Sequence, residues 1–179
     1  MKNFKRILCI NFATFLLAFL FASPANADPK GQIDFADLSP YYGEPKVEVN
    51  LSASLIGMVG SFANNADPEV GEILSKLESV KVRVYGLNGD VEQANATIDS
   101  VSSELKADNW ETLVTVNDNE ENQKVRIFSK STDKIIDGVV VMVVSPEKEA
   151  GEAVFINIVG EIDPSKIAKL TDTLDVDIN

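Results

Sequence analysis

The stretch that decides the fold reads GVVVMVV at Gly138–Val144 and, after a turn at Ser145–Gly151, AVFINIVG at Ala153–Gly160. Runs of β-branched and other apolar residues bounded by turn residues are typical of strands. Because the first run has no polar alternation, we expect a central strand with a neighbour on each side. The short connection between the two runs favours antiparallel pairing.

Three more strands precede this pair. Ser79–Leu87 alternates between Val80, Val82 and Val84 on one side and Lys81, Arg83 and Tyr85 on the other, which predicts a half-buried strand. Trp110–Val116 and Gln123–Lys130 flank the polar turn Asn117–Asn122 and predict a hairpin. The sequence therefore predicts five strands.

Four helices are predicted from apolar residues at helical spacing. Asp67-Pro68 and Asp163-Pro164 each place Asp at the N-cap and Pro at the first helical position, and Asp90 with Gln93 resembles a capping box. The first helix starts near Leu51, with Asn50 or Ser52 as its N-cap. The apolar positions of the four helices are 51, 55, 58, 59 and 62; Val70, Ile73, Leu74 and Leu77; Val91, Ala94, Ile98, Val101 and Leu105; and Ile167, Leu170 and Leu174.

The resulting order is α-α-β-α-β-β-β-β-α. Runs of strands beside separate helices predict an α+β fold, with a mainly antiparallel five-stranded sheet and helices chiefly on one face. We assign this single domain to residues 47–179. Residues 28–46 are rich in Pro and Gly and predict an extended or flexible leader, whose Tyr41-Tyr42 could still pack on the domain.

Residues 1–27 have the pattern of a cleavable signal peptide. A basic start (Lys2, Lys5, Arg6) precedes an apolar stretch from Ile7 to Ala22, and Ala25-Asn26-Ala27 matches a signal-peptidase site. The apolar stretch is about 16 residues long, which is short of the roughly 20 that span a bilayer. We expect an exported protein, periplasmic or secreted, with no transmembrane segment after cleavage.

Composition excludes several chemistries. Without residues 1–27 the chain has 13 basic and 28 acidic side chains, a net charge of −15, no Cys and no His. Such a chain cannot build a Cys/His zinc site, a disulfide, a Ser-His-Asp triad or a Cys-His pair. We expect no metal, no cofactor, no catalytic residues and no nucleic-acid partner.

Three local patterns favour a structural interpretation over chemistry. Ser131–Lys134 matches S-x-x-K but lies in a strand connection without its companion motifs. The oxygen-rich run Asn117–Asn122 lacks the calcium-loop pattern and is typical of a solvated turn. Asn157 is flanked by apolar residues on a strand, and we expect it to point to solvent rather than bond across the sheet.

A cationic strip is the remaining candidate for a binding site. Basic and aromatic residues alternate on two predicted strands, on the sides that we expect to face outward. If the strands are near neighbours, these side chains could bind an acidic partner, an anionic glycan or a lipid head group. The alternative is an ordinary solvent face paired with acidic residues. The strip consists of Lys81, Arg83, Tyr85, Lys124, Arg126, Phe128 and Lys130.

Several segments resemble a known family. VEVNLSASLIGMVGSF, VKVRVYGL, the lone Trp110, GVVVMVV and VFINIVGEIDPSKIAKL are similar to the domain of unknown function 4252 family, over most of residues 47–175. The resemblance implies a small exported envelope protein of a Gram-negative bacterium. Many members are lipoproteins, but Cys9 is not placed for lipid attachment. The family has no established catalytic or ligand-binding residues to transfer.

Two hypotheses for function follow. The first is a non-enzymatic binding or interaction module of the bacterial envelope. The alternative is an envelope hydrolase that uses carboxylates or a Ser/Lys pair. The lack of His, Cys and any complete catalytic motif favours the first.

Signal cleavage is directly testable. We expect the protein from its native host to begin at Asp28, because the Ala25-Asn26-Ala27 site follows a short apolar stretch. Intact-mass measurement checks the first residue. A membrane-bound species that retains Met1–Ala27 would contradict the prediction.

Overall fold

The computed structural model describes residues 29–164 except 36–37, 88, 119 and 147–150. These residues form an α+β domain of four helices and six strands. The predicted last helix, beyond Pro164, and the signal peptide lie outside the described residues. In chain order the elements are α1 Ser39–Tyr42, β1 Val47–Ser52, α2 Ala53–Ala66, α3 Pro68–Ser75, β2 Leu77–Gly86, α4 Val91–Ala107, β3 Glu111–Asp118, β4 Gln123–Thr132, β5 Ile135–Ser145 and β6 Glu152–Ile162.

The strands form one antiparallel sheet in the order β1-β2-β6-β5-β4-β3. β5 lies between β4 and β6, so the prediction of a central strand from GVVVMVV is confirmed. The sheet has six strands rather than the predicted five, because residues 47–52 pair with β2. Val47, Val49 and Leu51 alternate with polar residues and lie opposite Val84, Val82 and Val80, so Leu51 belongs to a strand and not to the first helix.

Helix starts agree with the predicted caps. The Asp67 carboxylate accepts hydrogen bonds from the backbone N–H groups of Glu69 (2.9 Å) and Val70 (3.3 Å). The Asp90 carboxylate accepts one from the N–H of Gln93 (2.9 Å). Both carboxylates satisfy donors that a helix leaves unpaired in its first turn. α2 begins one residue after Ser52, one of the two predicted N-cap positions.

The hydrophobic core lies on one face of the sheet, which we term the covered face. Alternate residues of the inner strands point into it and are almost fully buried, among them Tyr85, Phe128, Met142 and Phe155. Ile98 and Leu105 of α4 close the core from above. α1 and α4 pack on this face. The buried positions of β2 and β4 are the opposite of those that we predicted.

The leader is an ordered part of this core, which corrects the expectation of a flexible segment. Phe35, Leu38 and Tyr42 are buried among the core residues. The Tyr42 ring stacks on Tyr85 at 5.1 Å between centroids, and its hydroxyl donates to the carbonyl of Ala94 (3.0 Å). Burial raises the pKa of Tyr42 to about 12. Tyr41 is exposed. Widely spaced aromatic residues, which show no helical or strand period, are what hold the leader in place.

Asn157 fixes the leader on the sheet. Its side chain is fully buried on the covered face, so the expectation that it points to solvent was wrong. Its Oδ1 accepts a hydrogen bond from the N–H of Ile33 (2.9 Å), and its Nδ2 donates to the carbonyls of Gly31 (2.9 Å) and Val139 (3.2 Å). One amide thereby satisfies two backbone groups of the leader that strand pairing cannot reach.

Two glycines let the backbones meet beside this amide. Gly31 has φ +83°, and a Cβ on it would lie 2.5 Å from the carbonyl oxygen of Asp137. A Cβ on Gly138 would lie 2.5 Å from the carbonyl oxygen of Gly31. Neither position has room for a side chain, so the leader crosses β5 in direct backbone contact.

We expect Asn157→Leu to destabilise the domain by about 2–4 kcal/mol, because it leaves the Ile33 N–H and the Gly31 carbonyl buried without partners. Chemical denaturation measures the loss. Asn50→Leu is the matched control on the exposed edge strand β1; it removes only solvent-exposed side-chain bonds to Arg83 and Glu48 and should cost no more than about 1 kcal/mol. Equal stability of Asn157→Leu and the wild type would contradict the anchoring role.

Candidate binding surface

The second face of the sheet, which we term the open face, is a continuous aliphatic surface. Cα partners in the register share a face, and on this side the central partners are Val, Ile or Leu, whereas Ser129 lies opposite Val139 and Glu111 and Glu152 stand at the ends of the rows. None of these aliphatic side chains is fully buried, whereas their neighbours in sequence along β5 and β6 mostly are. The open face consists of Val47, Val49 and Leu51 of β1, Val80, Val82 and Val84 of β2, Val154, Ile156 and Ile158 of β6, Val139, Val141 and Val143 of β5, Val125 and Ile127 of β4, and Val114 and Val116 of β3.

The described helices meet the sheet mainly on the covered face and near β1 and β2. α1 and α4 contribute to the core on the covered face, and α2 contacts the sheet chiefly at the neighbouring strands β1 and β2. Exposure is greatest at the sheet edges, where Val47, Val114 and Val116 remain 39–47% exposed. Exposure of such a surface to water costs roughly 25 cal/mol per Å² of apolar area, so burying it against another apolar surface is favourable.

A second apolar surface lies on α2. The helix forms at the predicted positions, but Leu55, Met58, Val59 and Phe62 stay exposed, Phe62 by 72%. Ile56 is buried instead, and Gly60 lies against Leu74 of α3. Gly71 of α3 touches Asn64 so closely that a Cβ there would lie 2.5 Å from the Asn64 Cβ. The glycines bring the two helices together and leave the longer side chains on the outside.

The cationic strip does not exist as one outward surface. β2 and β4 are separated in the sheet by β6 and β5, so its two halves are not neighbours. Tyr85 is 1% exposed and Phe128 is 0% exposed, because both belong to the core. The residues of the strip point to the covered face. The alternation pattern shows that they share one side of the strand, but not whether that side faces the core or the solvent.

The basic residues of the strip have acidic partners at the border of the core. Arg83 lies 2.9 Å from Glu48, Lys124 lies 2.8 Å from Asp99, and Lys130 lies 2.7 Å from Asp108. Lys130 holds the pKa of Asp108 below its usual range. Arg126 lies 3.8 Å from Asp99 and donates to the side chain of Asn117 (2.7 Å). Lys81 is half-buried opposite Asn157.

These pairs remove the geometric support for an acidic partner on this side. The four basic side chains with acidic partners lie beside α4 or along the β1–β2 pair, and they are 12–29% exposed. An external anion would have to displace carboxylates that are already in place. The cations instead hold neighbouring elements to the covered face.

The two polar motifs form turns. Ser131 and Lys134 are exposed at the end of β4, where Thr132 donates to Asp137 (2.6 Å). Asp118 accepts from the N–H groups of Glu120 and Glu121, an arrangement that closes the β3–β4 turn. Within the described ranges, no three Asp, Glu, His or Cys side chains are grouped as metal ligands.

A groove between the leader and α4 has carboxylates in its lining. It has a volume of about 220 Å³, an apolar lining that includes Phe35 and Leu105, and three acidic residues, Asp34, Glu104 and Asp108. A general acid needs a raised pKa, whereas the pKa of Asp108 is lowered.

A family model covers the domain that these surfaces belong to. The model of a domain of unknown function, DUF4252, matches residues 41–170. The chain belongs to the DUF4252 family. The match includes all six strands and α2–α4, so the open face is formed by the family domain itself. No curated protein matches the chain. No helix in the part of the chain that the structure describes is long and apolar enough to cross a membrane.

The ion pairs at the covered face make a prediction for stability. We expect Arg126→Glu to lower the free energy of unfolding by about 1–3 kcal/mol, because it loses the bonds to Asn117 and Val116 and places a carboxylate beside Asp99. Urea denaturation checks the value. Lys134→Glu, the same charge change at an exposed turn, should change stability by no more than about 0.5 kcal/mol. Equal effects of the two variants would show that Arg126 contributes no more to stability than an ordinary solvent-exposed residue.

Proposed function

We propose that this DUF4252 protein is an exported, non-enzymatic interaction module of the bacterial envelope and that the open face is its binding surface. The observation that carries the proposal is the composition of that face. Val, Ile and Leu side chains from six adjacent strands line up across it, with polar or charged residues only at Ser129 and at the ends of the rows. The signal pattern at residues 1–27 supports the export part of the proposal.

The size of the face suits a protein partner. Five strand spacings of about 4.8 Å give a width of roughly 24 Å, and three alternate residues along a strand span roughly 13 Å. With side chains included, the area is on the order of 500 Å². This is comparable to the largest apolar patch of a typical monomer and somewhat below one side of a standard protein interface.

The chemistry of the face selects an apolar helical partner. The central aliphatic rows contain no charged side chain, so ion pairing cannot provide recognition there. A pleated surface of β-branched residues is the surface on which α+β proteins pack the apolar stripe of a helix. We therefore propose an amphipathic helix of an envelope protein as the partner.

Charged substitutions on β3 test the proposal. We expect Val114→Glu with Val116→Glu to abolish capture of the partner from native envelope extract. The reason is the large free-energy cost of dehydrating a carboxylate that is buried in an apolar interface. The measurement is affinity capture followed by mass spectrometry and titration of the identified partner.

The matched control adds the same charges to the other positions of β3. Thr112→Glu with Thr115→Glu also introduces two carboxylates at exposed sites, but not in the aliphatic rows of the open face. This variant should retain the partner with unchanged affinity, and both variants should melt within a few degrees of the wild type. Loss of the partner in both variants, or in neither, would exclude the open face as its binding surface.

A further inference from the structure

We infer that the cleft between α4 and the β3–β4 turn is a binding site for a neutral saccharide, a ring that carries hydroxyl groups and no charge. The inference goes beyond the proposed function, because the cleft lies on the covered side of the sheet and shares no residue with the open face. Its volume is about 330 Å³, at the lower end of the range for small-molecule sites, which suits a ligand of the size of a sugar ring. Its lining consists of Asn95, Asn117, Asp118, Asn122, Gln123 and Lys124.

The walls of the cleft come from elements that the fold holds together. Asn95 lies in the second turn of α4. Asn117 and Lys124 are Cα partners on β3 and β4, on the side of the sheet that α4 covers. The Lys124 ammonium joins the two walls, because it donates to the carboxylate of Asp99 (2.8 Å) and to the backbone carbonyl of Asn95 (3.4 Å). The cleft is therefore held open between a helix and a hairpin that are bonded to each other.

The cleft offers hydrogen-bond donors and acceptors side by side. The Oδ1 atom of Asn117 accepts from Arg126 (2.7 Å), and its Nδ2 group stays available as a donor. The Oδ1 atom of Asp118 accepts from the N–H groups of Glu120 and Glu121, and neither bond uses its Oδ2 atom. A hydroxyl group donates one hydrogen bond and accepts up to two. Adjacent hydroxyl groups of a sugar can therefore use both kinds of group at once.

Asn95 supplies an independent indication of a ligand. Its Oδ1 atom is buried and accepts no hydrogen bond from any residue that the structure describes. A buried acceptor without a donor is costly, and each such group in a native structure calls for an explanation. Rotation of the side chain toward the cleft would pair this oxygen with a ligand hydroxyl and would break no bond to a described residue.

The charges around the cleft select an uncharged ligand. Lys124 and Arg126 would repel a metal ion, and the Asp118 carboxylate would repel an anion. Both cations already face Asp99, at 2.8 Å and 3.8 Å, so their charge is balanced within the fold. The described lining contains no aromatic or aliphatic residue, so an apolar ligand would gain little by entering. A ligand with polar groups around its whole edge and no charge is a saccharide.

Nuclear magnetic resonance of isotope-labelled protein from the native host tests the inference. The probes are neutral trisaccharides of glucose, galactose, mannose and N-acetylglucosamine, each added up to about 20 mM because weak binding is expected. At least one of them should shift the side-chain NH2 signals of Asn95, Asn117 and Gln123. The signals of Asn50 and Asn65 are the reference and should not move, because β1 and α2 lie at the opposite edge of the sheet. The affinity should stay within about twofold between about 0.05 and 0.5 M salt, since the ligand forms no ion pair.

Asn95→Ala separates binding from stability. The variant removes a buried acceptor that has no described partner, and Ala is favourable in a helix, so the melting temperature should not fall. The affinity for the bound trisaccharide should fall at least about threefold in Asn95→Ala and at least about tenfold in Asn95→Ala with Gln123→Ala. The matched control is Asn65→Ala, which removes an exposed carboxamide from α2 and should keep the affinity.

Three results would overturn the inference. The first is the absence of shifts with every trisaccharide, which would leave the cleft as a solvated turn. The second is a shift of the same signals by calcium ions or by a galacturonic acid trimer but by no neutral sugar, which would assign the cleft to an ionic ligand. The third is unchanged affinity in both Asn95→Ala variants, because the sugar would then bind outside the cleft. Partner capture by the β3 variants is a separate measurement on the open face, so failure of the proposed function would not mimic any of these results.

Discussion

The side-chain amide of Asn157 is the interaction on which the arrangement of this domain depends. It lies in the middle of an inner strand, where an apolar residue would normally pack, and it bonds to two backbone groups of a segment about 125 residues earlier in the chain. A buried polar group is favourable only when its partners are in place. The amide therefore admits one position of the leader, and that position brings Phe35, Leu38 and Tyr42 into the core.

A filled covered face makes the two sides of the sheet unequal. The large side chains Tyr85, Phe128 and Phe155 all point to the leader and α4, and ion pairs with Glu48, Asp99 and Asp108 surround them. The centre of the other side consists of the smaller side chains of Val and Ile, which form a shallow surface. Core construction and the proposed binding surface thus follow from one alternation pattern.

Local patterns in the sequence predicted most of the elements. Continuous and alternating apolar runs located five of the six strands, and Asp-Pro and the capping box located the starts of α3 and α4. β1 was missed because Leu51 also fits the helical spacing of the residues that follow it. The leader was missed because its aromatic residues contact distant strands and have no period of their own.

Which face is buried could not be predicted from strand alternation. Along β2 and β4, small aliphatic residues alternate with Lys, Arg, Tyr and Phe, and hydrophobicity alone places the aliphatic residues inside. The structure buries the larger residues instead, because Tyr85, Phe128, Met142 and Phe155 fill the volume under α4 and the long basic side chains reach acidic partners at its border. Alignment of those four large residues across the sheet is the signal that would have identified the covered face.

The contact between Gly31 and Gly138 also sets an order of events during synthesis. The docking site of the leader is made of β5 and β6, which follow it by more than 100 residues, so the emerging chain has nowhere to place Gly31 until these strands have been made. Docking of the leader is therefore a late step in the folding of this domain, and until β5 and β6 are in place Phe35, Leu38 and Tyr42 have no core to enter.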